Sequence, residues 1–252
     1  MGAGAVTDDA LLATAIAAEA GKLLLAIRAE GRETGKALGD RADREANALI
    51  LDRLRAARPD AFVLSEESAD DKARCAAAQT WIVDPLDGTR EYAEGRDDWA
   101  VHVALAVGGR AEAGAVALPS LGITLSSSPA PVVPPRPDRP RMVVSRTRPA
   151  PQALAVAEAI DAELIPMGSA GAKAMAVVLG QADIYLHAGG QYEWDSCAPV
   201  AVALAAGLHA SRIDGSPLYY NCHDTWLPDL LICRRDDAAR ILPIIAGLEG
   251  AR

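Results

Sequence analysis

The chain has 252 residues, enough for one large domain or two smaller ones sharing an interface. Half of them are hydrophobic and 23% are charged, which excludes a disordered chain; aromatics are only 4%, so Ala, Val, Leu and Ile must build the core. A net charge of −9 argues against nonspecific binding to nucleic acid or anionic lipid.

At the N-terminus there is no basic-then-apolar secretory order, and Val6 stands where the myristoylation pattern wants Ser or Thr. No uncharged apolar run reaches the ~18 residues of a membrane span, so the cytoplasm is the expected compartment. Thr7, Asp8 and Asp9 read as a helix start, followed by apolar periodicity to about Arg28. A second helix is predicted over 41–58, stopping before Pro59, with Asp40 or Asp43 as its cap. Residues 61–65 (A-F-V-L-S) and 80–83 (T-W-I-V) read as buried strands, and 99–107, 114–118 and 123–126 as a meander. The segment 129–140, P-A-P-V-V-P-P-R-P-D-R-P, is too rich in proline for a helix or central strand and reads as a linker. It divides an N-terminal half (1–128) from a C-terminal half (141–252). In the second half strands are predicted at 142–144, 182–186 and 230–233, with helices at 149–160, 170–179, 196–206 and 236–248. The expected class is α/β, helices layered on sheets. Cys75, Cys197, Cys222 and Cys233 show no Cys-x-x-Cys pairing, which argues against a zinc knuckle or disulfide framework.

The most informative segment is 81–92, W-I-V-D-P-L-D-G-T-R-E-Y. A strand ending at Asp84 and a tight Pro-Leu-Asp-Gly turn would bring Asp87 back beside it. Two carboxylates and the Leu86 carbonyl then face one point, a hard-oxygen cradle suited to Mg²⁺. Alone, Pro-x-Asp-Gly is simply a good turn. Glu66 and Glu67 in L-S-E-E-S, Asp195 as the cap of the helix in E-W-D-S-C-A-P, and Asp43 in G-D-R-A-D-R-E-A-N are likewise ordinary taken singly.

Together, Asp84-Pro-Leu-Asp87-Gly-Thr89, preceded by Glu66-Glu67 and followed by Trp194-Asp195, resemble the inositol monophosphatase superfamily, in order from Asp43 to about Asn221. The resemblance implies a two-part helix–sheet–helix–sheet–helix sandwich and a phosphomonoesterase that uses two to three Mg²⁺ ions. By the same resemblance Glu66, Asp84 and the Leu86 carbonyl hold a first ion, and Asp84, Asp87 and Asp195 a second. Asp43 with Glu66 and Glu67 holds a third or orients the attacking water, with Thr89 assisting. Five carboxylates in one pocket repel, at about 4 kcal/mol per pair 4 Å apart at an effective dielectric near 20. Without cations the site is therefore expected to be disordered or partly protonated.

Arg90-Glu91-Tyr92, Gly168-Ser169, Gly189-Gly190-Gln191 and Pro217-Leu218-Tyr219-Tyr220-Asn221 look like the CysQ-type branch. That branch turns 3′-phosphoadenosine 5′-phosphate (PAP) into AMP and phosphate in the context of sulfate assimilation, and the superfamily is commonly lithium-sensitive. Substrate contacts are expected from Gly88, Thr89, Ser145, Arg146, Gly168, Ser169, Lys173 and Tyr220, with Arg148 as an alternative cation. His187 and Trp194 are placed near the base, His102 is read as a structural histidine, and Cys197 as a packing residue. Relatives include both monomers and homodimers. Inositol 1-phosphate or fructose 1,6-bisphosphate are alternative substrates on the same site, and a catalytically inactive nucleotide-binding module is the alternative of another class. Gly168-Ser-Ala-Gly171-Ala-Lys173 has neither the spacing nor the Ser/Thr of a P-loop, which excludes a kinase.

Overall fold

A computed structural model describes residues 3–136 and 138–250. Met1, Gly2, the last two residues and Pro137, inside the expected linker, lie outside the described residues. Two helices come first, α1 (Ala3–Glu30) and α2 (Gly35–Ala57), then β1 (Phe62–Ser65), β2 (Gln79–Asp87), the short α3 (Thr89–Ala93), β3 (Ala100–Val107), β4 (Arg110–Leu118) and β5 (Ile123–Ser126). The remainder runs β6 (Arg141–Ser145), α4 (Pro151–Ile160), β7 (Glu163–Met167), α5 (Ala170–Val178), β8 (Ile184–Tyr192), α6 (Glu193–Ala205), β9 (His209–Ser211), β10 (Trp226–Cys233) and α7 (Arg235–Gly250).

These elements form two five-stranded sheets, β1-β2-β3-β4-β5 and β7-β6-β8-β10-β9. Three apolar cores show how the layers stack. One lies between α1–α2 and the first sheet, a second between the two sheets around α5 and α6, and a third between the second sheet and α4–α7. The result is the expected α/β layering, helix–sheet–helix–sheet–helix. Because both faces of the first sheet are covered, β2 is buried from Thr80 to Asp87. Trp81 and Val83 pack toward α1–α2, and Ile82 toward α5–α6.

Several boundaries differ from the sequence expectation, each for a physical reason. Helix α2 begins at Gly35, six residues earlier than predicted. Thr34 is extended, and Asp40 and Asp43 sit inside the helix rather than capping it. Gly and Lys are weak or neutral helix starters, but Leu38 and Gly39 are buried, and Gly39 packs so closely on Thr89 that an added Cβ would come 2.8 Å from its Cγ2. Strand β8 continues past 186 through Gly189-Gly190 to Tyr192, paired along β10. Residues 129–136 and 138–140 carry no helix or strand.

Helix α1 from Val6 to Glu30 is, against the sequence expectation, long and apolar enough to cross a membrane by length and composition, charged residues interrupting its apolar run. Here Ala10, Ala13, Ile16, Ala17, Ala20, Leu24 and Ile27 are buried at helical spacing in the core it shares with β3, β4 and α2.

Candidate active site

Asp84 and Asp87 meet through a strand irregularity, not the predicted tight turn. Asp84 lies opposite His102 and Asp87 opposite Ala100, so three steps along β2 match two along β3. The extra residue is a β-bulge, a device that re-aims side chains. Leu86 N–H donates to Asp84 Oδ1 at 3.0 Å. Gly88 then takes the left-handed backbone, φ 88°, that starts α3, a conformation costly for a residue with a Cβ.

Asp195 was expected to cap α6. Instead Tyr192 occupies the cap position and Asp195 is the third helical residue, its Oδ2 accepting from Tyr192 N–H at 2.6 Å. Ligand oxygens of Asp84, Asp87 and Asp195 all lie within 4.8 Å of one another. At that spacing each ionised pair costs on the order of 3 kcal/mol at an effective dielectric near 20. Such a cluster has the chemistry of a hard divalent-cation site.

Asp43 approaches from α2. Thr89 Oγ1 sits 3.1 Å from Asp43 Oδ2 and 3.0 Å from the Leu86 carbonyl, one hydroxyl proton between two acceptors. Asp43 Oδ1 is buried without a hydrogen-bond partner among the described residues, which fits a carboxylate awaiting a cation. Beside it a cavity of about 300 Å³ is lined by Asp40, Asp43, Arg44, Asn47 and Glu67. Glu66 and Glu67 follow β1 on a turn tied to α2. Ser65 Oγ donates to Asn47 Oδ1 at 2.8 Å, and Asn47 Nδ2 donates to Ser68 Oγ at 3.1 Å.

The carboxyl groups divide sharply in acidity. Burial, then Glu67, pushes Asp43 up to about 7. Glu66 is pushed up to about 8, first by the protein packed around its carboxyl and then by Asp195, Asp43 and Asp87, although the residue as a whole is exposed at the rim. Burial, then Glu66 and Asp87, raises Asp84 well above the carboxylate range, and burial, then Asp87, raises Asp195 to about 6. These shifts match the expected partial protonation of a cation-free site. Asp87 is the exception. Burial alone would raise it, but His102, the Ser169 hydroxyl and the Gly171 N–H hold it at about 2.

Of the expected substrate contacts, Gly88, Thr89 and Ser169 gather at the cluster, whereas Gly168 packs on Glu91 and donates its N–H to Asp98. Ser169, at φ 40°, caps α5 by accepting from Ala172 N–H and donates from Oγ to Asp87 Oδ2 at 2.5 Å. Others are committed elsewhere. Arg146 pairs at 2.7 Å with both Glu91 and Glu94. Lys173 is buried, its ammonium donating to the Gly168 and Ser169 carbonyls at 2.9 and 2.6 Å. Tyr220 is buried against Ser196 Oγ at 3.2 Å. Ser145 accepts from Arg148 N–H at 3.2 Å, and the Arg148 side chain is exposed with no ion pair among the described residues. Glu193, fully buried at the start of α6, accepts from the Asn221 and Cys222 N–H groups. It went unassigned in the sequence because nothing local links position 193 to 221.

The sequence matches the model of the inositol monophosphatase family over residues 6–132 and 136–241. It is 51% identical over 252 aligned positions to a 3′-phosphoadenosine 5′-phosphate phosphatase of Mycobacterium leprae, covering 94% of this chain and 93% of the relative. It is 31% identical to the 3′(2′),5′-bisphosphate nucleotidase CysQ of Escherichia coli, covering 74% of this chain and 80% of the relative. The crystal structure of CysQ from Bacteroides thetaiotaomicron superimposes with a TM-score of 0.77 at 26% identity, covering 91% of this chain and 98% of that one. With the match spanning both sheets and the acidic cluster between them, the chain belongs to the inositol monophosphatase family.

Proposed function

We infer that this chain hydrolyses the 3′-phosphate of 3′-phosphoadenosine 5′-phosphate, releasing AMP and inorganic phosphate. The observation that carries it is the convergence of Asp84, Asp87 and Asp195 within 4.8 Å, in a chain half identical to a phosphatase of that substrate along nine-tenths of its length. The resident cofactor is Mg²⁺, two to three ions. Glu66, Asp84 and the Leu86 carbonyl would hold one, Asp84, Asp87 and Asp195 another, and Asp43, Glu66 and Glu67 a third. Bound there, such ions acidify water and neutralise charge on the transferring phosphoryl group.

The chain's own groups do the rest. Thr89 shares its proton between Asp43 and the Leu86 carbonyl and so orients a water from the Glu66 side. The positive N-terminal end of α6 faces the cluster and favours the anionic ester. Cys197 is fully buried, with its thiol pushed up by burial, and is read as packing; the reading is direct attack of water on the ester. Gly88 and Thr89, at the start of α3, are the groups offered to the phosphate, and Arg148 with Ser145 is the available cation–hydroxyl pair for the 5′-phosphate. Trp194, stacked at 4.8 Å on the exposed Tyr192, supplies an aromatic face for adenine.

The test compares kcat/KM for this nucleotide, inositol 1-phosphate and fructose 1,6-bisphosphate, with and without Mg²⁺. A nucleotide preference of tenfold or more, about 1.4 kcal/mol in transition-state binding, supports the assignment. A preference for either sugar phosphate keeps the chemistry and replaces the substrate. Absence of Mg²⁺-dependent release from all three leaves an inactive binding module.

A further inference from the structure

We propose that His102 is a positioning residue of the metal cluster, setting Asp87 so that its Oδ1 faces Asp84 and Asp195. The proposal rests on the metal reading above.

Strand β3 has two faces. Val101, Val103 and Leu105 pack toward α1–α2, whereas Ala100, Ala104 and Ala106 pack toward α5–α6. His102 falls on the alanine face, fully buried, in an otherwise apolar layer. A polar ring there is costly unless both nitrogens find partners. Nδ1 has one, lying 3.0 Å from the Trp194 carbonyl. Nε2 lies 3.2 Å from Asp87 Oδ2, at ion-pair distance but without hydrogen-bond geometry, so its compensation is the charge of that carboxylate. The ring therefore spans β2, which carries Asp87, and the first turn of α6, whose next residue is Asp195.

Room for the ring is made at position 171. A Cβ on Gly171 would stand 2.0 Å from His102 Nε2, so only glycine lets the imidazole reach Asp87. Gly171 also donates its N–H to Asp87 Oδ2 at 2.5 Å, joining Ser169 Oγ at 2.5 Å on the same oxygen. Three groups thus crowd Oδ2, while Oδ1 takes one donor, Ala170 N–H at 3.1 Å. A carboxylate oxygen has about two lone pairs to offer. Oδ2 is saturated and the free lone pair is on Oδ1, which makes Oδ1 the oxygen available to an ion. Groups that orient a metal ligand in this way are worth about 10- to 100-fold in metal affinity.

Two substitutions separate positioning from packing. Glutamine can place its amide nitrogen near Nε2 and keep the contact to Asp87, whereas asparagine reaches only as far as Nδ1 and keeps the contact to Trp194. The experiment measures Mn²⁺ affinity of the substrate-free protein by electron paramagnetic resonance, with the melting temperature recorded for each variant. His102→Asn is expected to weaken Mn²⁺ binding by about tenfold or more and to raise the Mg²⁺ needed for half-maximal activity, with less change in KM for the ester. His102→Gln is expected to stay within about threefold of the parent. Gly171→Ala, which leaves His102 in the chain but displaces its ring, is expected to follow His102→Asn. Equal Mn²⁺ affinities for His102→Asn and His102→Gln, whether both unchanged or both weakened along with the melting temperature, would overturn the proposal and leave a packing histidine. A parent protein that binds no Mn²⁺ would overturn the metal reading itself, and this proposal with it.

Discussion

Asp84 and Asp87 stand three residues apart on one strand, yet the structure treats them oppositely. Asp87 is met by the start of α5 and by His102, four polar groups on one carboxylate, and is held at about 2. Asp84 has a single backbone donor, Leu86 N–H, and faces Glu66, Asp87 and Asp195, so it is raised well above the carboxylate range. Asp43, Glu66 and Asp195 share its fate. One side of the cluster is preorganised by the protein, and the other is left for cations to complete. Preorganised groups need no rearrangement when charge arrives, while the uncompensated side gives a bound cation its affinity.

The largest expected effect comes from neutralising each side in turn. Asp84→Asn should reduce Mg²⁺-dependent phosphate release by at least about 10³-fold, ~4 kcal/mol in transition-state stabilisation, while raising the melting temperature of the metal-free protein at pH 8, because a neutral amide escapes the cost that burial and the neighbouring carboxylates impose on ionisation at that site. Asp87→Asn should be as inactive but melt lower, since its amide keeps one acceptor oxygen and must set its NH2 against donors on the other side, at about 1–3 kcal/mol. Equal melting shifts in both variants would erase the contrast.

A smaller effect, with a definite sign, is expected from pH. Asp43, Glu66 and Asp195 have folded-state values near 7, 8 and 6, above their unfolded ones, so the native protein binds more protons. Metal-free stability is therefore full below about pH 4 as far as these groups are concerned, and is lost as pH rises through 6 to 8. Asp87 works the other way, its stabilisation lost only as pH falls from about 4 toward 2. Melting curves of chelated protein from pH 5 to 8.5 should decline, and saturating Mg²⁺ should flatten or reverse that decline. A metal-free curve that rises over this range would contradict the assignment.

Smallest is Ser169→Ala, which removes both the α5 cap and one donor to Asp87. It should cost about 1 kcal/mol of stability and weaken Mn²⁺ binding less than Gly171→Ala does.

How much of this was legible in the chain depends on how far apart the cooperating residues are. Strands were read at 61–65, 80–83, 99–107 and 123–126 from their apolar and β-branched residues, and each lies on an observed strand, but β2 runs on to Asp87 where a turn was expected. Asp84, Asp87 and Asp195, each an ordinary turn or helix-cap residue taken singly, stood out only because the four motifs together resemble the family. Arg146, Lys173 and Tyr220 were expected as substrate groups, and a cation or phenol carries no local sign of the protein partner it also has. Their partners, Glu91 and Glu94, the Gly168 and Ser169 carbonyls, and Ser196, are identified only in the fold. The start of α2 at Gly35 was hidden because packing of Gly39 on Thr89 outweighs weak local propensity.

By itself, then, the sequence determined the layered α/β class, since burial on both faces leaves local traces in hydrophobicity, and through four motifs read together it pointed to the acidic residues, of which Asp84, Asp87 and Asp195 converge. Only the tertiary structure decided which carboxylate is preorganised. Asp87 takes its four polar partners from 15 or more residues away along the chain, and contacts at that range obey packing geometry rather than any pattern in neighbouring residues.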